Sequence, residues 1–153
     1  MGNSNCFNIR VYGICIRNHQ LLVSDEYVLD MYMTKFPGGG LEYGEGPIEC
    51  LKRECREEME LEVDITDHFY TTDFFQSTRF FKDTQLISIY YRFELPDNLC
   101  IRASKEKFNF EKEINGSQSF RWIPISELTP EEMTFPIDRK VVELIKKNIQ
   151  DNV

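Results

Sequence analysis

The alternation of apolar and polar residues predicts strands early in the chain. Residues 8–16 place apolar side chains on both faces at a period of two, as a buried strand does. Asn18 and His19 interrupt this pattern and predict a tight turn into a partner strand at 21–23. Asn115 with Gly116, flanked by aromatic residues, predicts a second hairpin. Stretches rich in β-branched and aromatic residues, which favour strands, cover 61–75 and 86–95.

Two segments have the apolar spacing of helices. The first runs from Pro47 to about Met59, and its apolar positions, which we expect to be buried, are Ile48, Leu51, Cys55 and Met59. The second runs from about Ile137 to Ile149, and a short helix is expected at Thr129-Pro130. The order of strands, helix, strands and helix predicts one mixed α/β domain over 1–153, with helices covering a mixed or antiparallel sheet.

Composition restricts the function. A chain of 153 residues suits a single domain, and the net charge of −8 repels phosphates, which disfavours binding to a nucleic acid duplex. An acidic protein can still handle a phosphate substrate if a divalent cation neutralises the site. No apolar run reaches the ~18 residues of a transmembrane helix, and the start lacks the pattern of a signal peptide. Five cysteines without a CxxC pair indicate reduced thiols and a cytoplasmic protein.

The first helix carries the most informative polar residues. Glu54, Glu57 and Glu58 fall within an arc of about 100° beside the apolar stripe. Repulsion between two like charges three or four residues apart destabilises a helix by roughly 0.2–0.5 kcal/mol. A hard cation such as Mg²⁺ bound between the carboxylates would make their proximity favourable. The glycine-rich loop 37–40 allows a ligand to approach the backbone. These residues alone leave two interpretations open, a metal site or a solvated acidic helix that follows a simple turn.

Residues 39–61 resemble the signature of the Nudix hydrolases. That signature reads Gly, five residues, Glu, seven residues, Arg-Glu, an aliphatic residue, any residue, Glu-Glu, any residue, Gly and an aliphatic residue. The matching residues are Gly39, Glu45, Arg53, Glu54, Glu57, Glu58 and Leu61, with Cys55 as a softer match. Glu60 stands where the family has the glycine that ends the helix in a left-handed turn. Segments 36–39 and 122–128 extend the resemblance more weakly.

The resemblance implies a fold and an activity. The fold is an α/β/α sandwich with a mixed central sheet. The activity is hydrolysis of a small-molecule substrate, a nucleoside diphosphate linked to another group X, by water attack on phosphorus with Mg²⁺ or Mn²⁺. The resemblance also allows homodimerisation. It leaves two alternatives open, a catalytically silent nucleotide-binding or sensor module and an isomerase for diphosphate-linked substrates.

The resemblance also assigns roles to the matching residues. Glu57 and Glu58 are the principal metal ligands, Glu54 joins them or positions the water, and the Gly39 carbonyl contributes to the metal site. Glu45 and Arg53, which we also count among the catalytic residues, form a supporting ion pair that shapes the loop. The general base is a glutamate of the signature, with Glu57 as first candidate, or one from a distant loop. Ser117, Gln118 and Ser119 occupy the place of the family's late glutamate, so the remote options are Glu111 and Glu113.

Overall fold

The structure is a computed structural model that describes residues 5–152. The strands are β1 (Cys6–Ile14), β2 (Ile16–Arg17), β3 (Gln20–Val28), β4 (Met31–Lys35), β5 (Gly38–Gly40), β6 (Asp64–Thr71), β7 (Thr84–Glu94), β8 (Ala103–Ser104) and β9 (Ser117–Pro124). The helices are α1 (Pro47–Met59) and α2 (Pro136–Asp151), with a short 3₁₀ turn at Pro130–Glu132. The predicted mixed α/β class is confirmed. Neither described α-helix has the length and apolar character needed to cross a membrane.

The chain divides into two compact units. The first contains the chain up to Ile14 together with Gly38–Pro96, and the second contains Cys15–Pro37 together with the chain from Asp97 onward. In the first unit the strand order is β5-β1-β7-β6. β1 and β7 are parallel, whereas β5 and β6 pair antiparallel with them. The sheet of the first unit is therefore mixed.

Helix α1 packs closely on this sheet at Gly13. A Cβ at Gly13 of β1 would lie 2.4 Å from the Phe93 ring and 3.3 Å from a Leu51 methyl carbon, so the glycine allows helix and sheet to approach closely. Pro47 opens the helix, where its missing N–H costs nothing, and the predicted bounds are confirmed. At the other end Glu60 adopts the left-handed conformation, with φ 56° and ψ 33°.

The buried arc of α1 differs from the predicted stripe. Cys50, Leu51 and Cys55 are the buried residues of the helix, whereas Ile48 is exposed, which makes that part of the prediction wrong. On a helical wheel at ~100° per residue, Glu54 and Glu58 lie between Cys50 and Cys55. The buried arc thus includes two of the glutamates instead of only bordering them.

The second unit has its own mixed sheet. β3 pairs antiparallel with β2, β4 and β9, and β8 pairs parallel with β9. The buried Arg121 guanidinium donates to Asp25 at 2.8 and 3.2 Å, and Thr34 donates to the same carboxylate at 2.7 Å. These bonds satisfy a buried charge pair that would otherwise be costly. The buried residues of α2 are Ile137, Asp138, Val141, Val142 and Ile145.

Of the two predicted turns, one is confirmed and one is wrong. Asn18 and His19 both have positive φ, as the two-residue turn between β2 and β3 requires. Asn115 and Gly116 do not join two paired strands. The Asn115 side chain accepts a hydrogen bond from the Leu29 N–H at 2.8 Å, and the Gly116 N–H donates to the Tyr27 carbonyl at 2.7 Å. The segment is therefore bound to the end of β3.

Candidate functional site

Strand β5 brings the glycine loop against α1. Gly39 is the strand partner of Val11 in β1, so β5 is held in register at the edge of the sheet. A Cβ at Gly39 would lie 2.4 Å from Oε1 of Glu54, closer than real Cβ contacts come. The carboxylate of Glu54 thus occupies the space beside the glycine, and a side chain at position 39 would displace that carboxylate.

Arg53 connects the loop to the helix. Its Nε and Nη2 donate to the two oxygens of Glu45 at 2.9 and 2.7 Å, a bidentate ion pair. Nη2 also donates to the carbonyl oxygen of Gly40 at 3.0 Å. Nη1 donates to Glu54 at 3.0 Å and to Glu57 at 3.2 Å. The Glu45–Arg53 ion pair that the resemblance implied is present, and the same guanidinium orients two further carboxylates.

The carboxylates around Arg53 outnumber it. Glu42 also approaches its Nε at 3.7 Å, so one cation serves four anions and the group has a net charge of −3. The Glu54 side chain is only 14% exposed, whereas that of Glu57 is 59% exposed. The site therefore combines an ordered, largely buried carboxylate with a solvent-accessible one.

Hydrogen bonding shifts the acid–base properties of these groups. The bonds from Arg53, and then the Glu42 N–H, lower the pKa of Glu45 to about 2. The same ion pair raises the pKa of Arg53. Burial, followed by the neighbouring Glu45 carboxylate, raises the pKa of the Cys50 thiol to about 12. Glu45 is thus a permanent anion at neutral pH, and Cys50 is a neutral thiol that packs beneath the loop.

The donor chemistry suits a hard divalent cation, although the carboxylates are not gathered into a ready metal cage. Within residues 5–152, no group of three His, Cys, Asp or Glu side chains is positioned to hold a metal ion. Glu58 is half-buried with its Oε2 in the interior, on the same buried arc as Glu54. Carboxylate oxygens in excess over cations, beside a glycine backbone, are ligands that Mg²⁺ and Mn²⁺ accept.

One basic residue of β1 also borders the loop. Arg10 is the strand partner of Gly40, and a Cβ at Gly40 would lie 3.7 Å from its Nη1. Arg10 Nε donates to the Tyr12 hydroxyl at 2.6 Å, and the Tyr12 ring packs 5.5 Å from that of Tyr90. The Arg10 guanidinium therefore places a positive charge beside the glycine loop. The sequence analysis did not include the Gly40 carbonyl in the site. The run of three glycines was the sequence feature that could have indicated it.

The remote candidates for the general base have other contacts in the second unit. Glu111 accepts a hydrogen bond from Arg102 at 3.1 Å, with both side chains exposed. Glu113 is hydrogen-bonded to Tyr32, and this bond raises the pKa of that tyrosine to about 12. The role of either glutamate as a base stays a prediction.

Comparison with known proteins supports the sequence resemblance. Residues 8–145 match the NUDIX domain. Among solved structures, the fold is similar to a NUDIX hydrolase from Nitrosomonas europaea (16% identity, 92% of this chain and 89% of that chain, TM-score 0.67). It is also similar to MutT from methicillin-resistant Staphylococcus aureus (22% identity, 95% and 99%, TM-score 0.63) and to a UDP-X diphosphatase (16% identity, 100% and 66%, TM-score 0.61). No curated protein sequence matches the chain.

These structural likenesses, all below 25% identity, establish the fold, while the domain match covers most of the sequence. The chain therefore belongs to the Nudix family, the family of nucleoside diphosphate-X hydrolases.

Proposed function

We propose that the protein hydrolyses a diphosphate linkage in a nucleoside diphosphate joined to a group X, with Mg²⁺ or Mn²⁺ as cofactor. One observation carries the proposal. Four carboxylates converge on the single guanidinium of Arg53 beside the glycine loop, and all but that of Glu42 belong to the Nudix signature. Repulsion between these carboxylates destabilises the site, and a bound divalent cation would relieve that repulsion.

The proposed ligand set is the Gly39 carbonyl with Glu54, Glu57 and Glu58. When bound, a divalent ion would lower the pKa of a water and neutralise phosphate oxygens. Arg53 is a positioning residue in this scheme, because its bonds to Glu45 and to the Gly40 carbonyl hold the loop against α1. The permanent charge of Glu45 keeps Arg53 in place.

Glu57 is our first candidate for the general base. Its side chain is the more exposed of the two glutamates of α1 that Arg53 binds, so water and substrate can reach it. An Oε atom of Glu57 would accept the proton of the attacking water. The bond from Arg53 at 3.2 Å reaches one oxygen of Glu57 and orients its carboxylate.

A substrate panel tests the proposal. Nucleotide sugars, dinucleoside polyphosphates, ADP-ribose and oxidised nucleoside triphosphates are incubated with and without Mg²⁺ or Mn²⁺. We expect metal-dependent cleavage of at least one, and turnover that is lower by about two orders of magnitude or more in Glu57→Gln and Glu58→Gln. Glu49→Gln is the matched control, because Glu49 is an exposed residue of the first turn of the same helix. Cleavage without metal, or no cleavage of any substrate by the wild type, contradicts the proposal.

The second candidate function is a nucleotide-binding module that does not catalyse. Ser117, Gln118 and Ser119 favour it, because they stand at the place of the family's late glutamate. Glu60 does not, because the residue keeps the left-handed helix end that the family glycine provides. Calorimetry separates the two functions, since tight binding of a nucleotide without turnover identifies the module.

Four further expectations belong to the same proposal. We propose that residues 1–153 are one Nudix-like domain, because the family match spans both compact units. We propose a cytoplasmic location because the chain has an odd number of cysteines and no CxxC pair, which indicates reduced thiols. We propose a small-molecule diphosphate, and not a nucleic acid duplex, as the binding partner. Homodimerisation stays a prediction that light scattering tests.

A further inference from the structure

The turn at residues 114–117, in the second unit, contains a chemically reactive pair of residues. Of the nine asparagines in the chain, only Asn115 precedes a glycine. Glycine leaves the backbone nitrogen after an asparagine open to close approach, because it has no side chain to shield that nitrogen. Asn115 and Gly116 are both exposed, and a Cβ built on Gly116 would have no atom beyond its chain neighbours within 4 Å. Water therefore reaches both residues.

The reaction open to this pair is loss of the side-chain amide, which makes asparagine a thermolabile residue. After a base removes the proton of the Gly116 N–H, the nitrogen attacks Cγ of Asn115 and forms a cyclic succinimide. The bond from Cγ to the side-chain nitrogen breaks, and that nitrogen takes up a proton and leaves as ammonia. Water then adds to either ring carbonyl and gives aspartate or isoaspartate. Water is the only co-reactant, and nothing is oxidised or reduced.

Hydrogen bonds to the hairpin of β3 and β4 hold both reacting groups in the folded chain. The Gly116 N–H, which must lose its proton, donates to the Tyr27 carbonyl at 2.7 Å. The side-chain oxygen of Asn115, which is bonded to the carbon under attack, accepts a hydrogen bond from the Leu29 N–H at 2.8 Å. The attacking nitrogen and the side chain that it attacks are therefore each bonded to the hairpin in the folded protein.

Further hydrogen bonds close the turn itself. The Ser117 N–H donates to the Ile114 carbonyl at 2.9 Å, and the φ of 94° at Gly116 fits the third position of a type II turn. The Ser117 hydroxyl accepts a bond from the Ile114 N–H at 3.0 Å and donates to the Lys112 carbonyl at 2.5 Å. Ring closure needs the nitrogen aligned with Cγ, and a closed turn restricts the backbone rotation that aligns them. The reaction therefore requires local opening of the turn.

We propose that Asn115 is a deamidation site and that opening of the 114–117 turn controls its rate. Isoaspartate adds a methylene group to the backbone, so the side chain at position 115 and the Gly116 N–H no longer both reach the hairpin. The product also adds a negative charge next to Glu113 and to Asp30, which follows the residue that Asn115 binds. Deamidation therefore detaches the turn from β3 irreversibly. This modification is independent of the proposed hydrolysis.

Peptide mapping by mass spectrometry measures the rate at position 115. The protein is incubated at neutral and at alkaline pH, either folded or in concentrated guanidinium chloride, and aspartate and isoaspartate are quantified. We expect deamidation of the folded protein to be about 10-fold slower than that of the unfolded chain, or slower still, because the turn must open first. Both rates should rise with pH. Asn18, an exposed asparagine in another turn, precedes a histidine and should react more slowly than Asn115 in the unfolded chain.

The substitution Ser117→Ala tests the control by the turn. It removes the hydroxyl bonds to Ile114 and Lys112 but keeps Asn115 and Gly116. We expect Ser117→Ala to deamidate faster than wild type when folded and at the same rate when unfolded. Ser126→Ala is the matched control, because Ser126 is an exposed serine elsewhere in the second unit, and it should react at the wild-type rate.

Each outcome supports or overturns one part of the inference. No deamidation at position 115 in the unfolded chain overturns the site. Equal rates in the folded and unfolded wild type, or no acceleration in folded Ser117→Ala, overturn control by the turn. The isoaspartyl form, separated by ion exchange, should melt at a lower temperature than the unmodified protein. An unchanged melting temperature overturns the detachment from β3.

Discussion

The end of α1 provides a direct test of the physical reasoning, through the substitution Glu60→Gly. Glu60 has φ 56° and ψ 33°, and its N–H donates to the Arg56 carbonyl at 3.0 Å. An L-residue in this conformation destabilises the folded state by about 1–2 kcal/mol, and glycine removes that cost. Glycine also makes the unfolded chain more flexible, which offsets about 0.4–1 kcal/mol of the gain. Removing a carboxylate from a helix C-terminus adds about 0.3–1 kcal/mol.

The expected net effect is stabilising. We expect the free energy of unfolding to rise by about 1 kcal/mol, and the melting temperature by about 2–4 °C, in Glu60→Gly. Urea and thermal denaturation followed by circular dichroism measure both quantities. Glu60→Gln keeps the Cβ and removes the charge, so it isolates the electrostatic part, which high salt also screens. Gly116→Ala is the reverse control, because Gly116 has φ 94° and no atom within 4 Å of the added Cβ.

The comparison with Gln decides the outcome. If Glu60→Gly is no more stable than Glu60→Gln at high salt, backbone strain at this position is refuted. If Gly116→Ala is as stable as wild type, the cost assigned to positive φ is too large for this protein.

Two further predictions concern the loop and the ion pair. The pKa of Glu45 is about 2 in the folded protein and 4.5 without its neighbours, so its stabilising contribution is present above pH 4.5 and disappears as the pH falls towards 2. Urea denaturation between pH 5 and about 2 should therefore show a steeper loss of stability in wild type than in Glu45→Gln, and equal slopes would contradict this account. Gly39→Ala forces a Cβ onto the Glu54 carboxylate, whereas Gly40→Ala makes only an ordinary contact, so metal-dependent turnover should fall about 100-fold in the first and change little in the second. Equal activity in the two variants would show that the position of Glu54 is unimportant.

Sequence patterns correctly predicted the features that depend on residues close together in the chain. The bounds of α1 follow from Pro47 and from the 3.6-residue apolar spacing, and the turn at Asn18 and His19 follows from residues that tolerate positive φ. The prediction failed at Asn115 and Gly116, where the same turn chemistry is present. At Asn115 and Gly116, hydrogen bonds to the end of β3, which is distant in sequence, take the place of a local hairpin.

The amino-acid sequence by itself determined the class of fold, the first helix and the spacing of its glutamates, because periodicity and signature spacing are properties of short segments. Only the tertiary structure decided which arc of that helix is buried. It exposed Ile48, buried most of Glu54, and set one guanidinium among four carboxylates and a loop carbonyl. It also grouped Phe7 of β1 with Phe75 and Phe81 of the segment between β6 and β7 around one cavity. These features depend on contacts between residues distant in the chain, and no pattern of neighbouring residues specifies them.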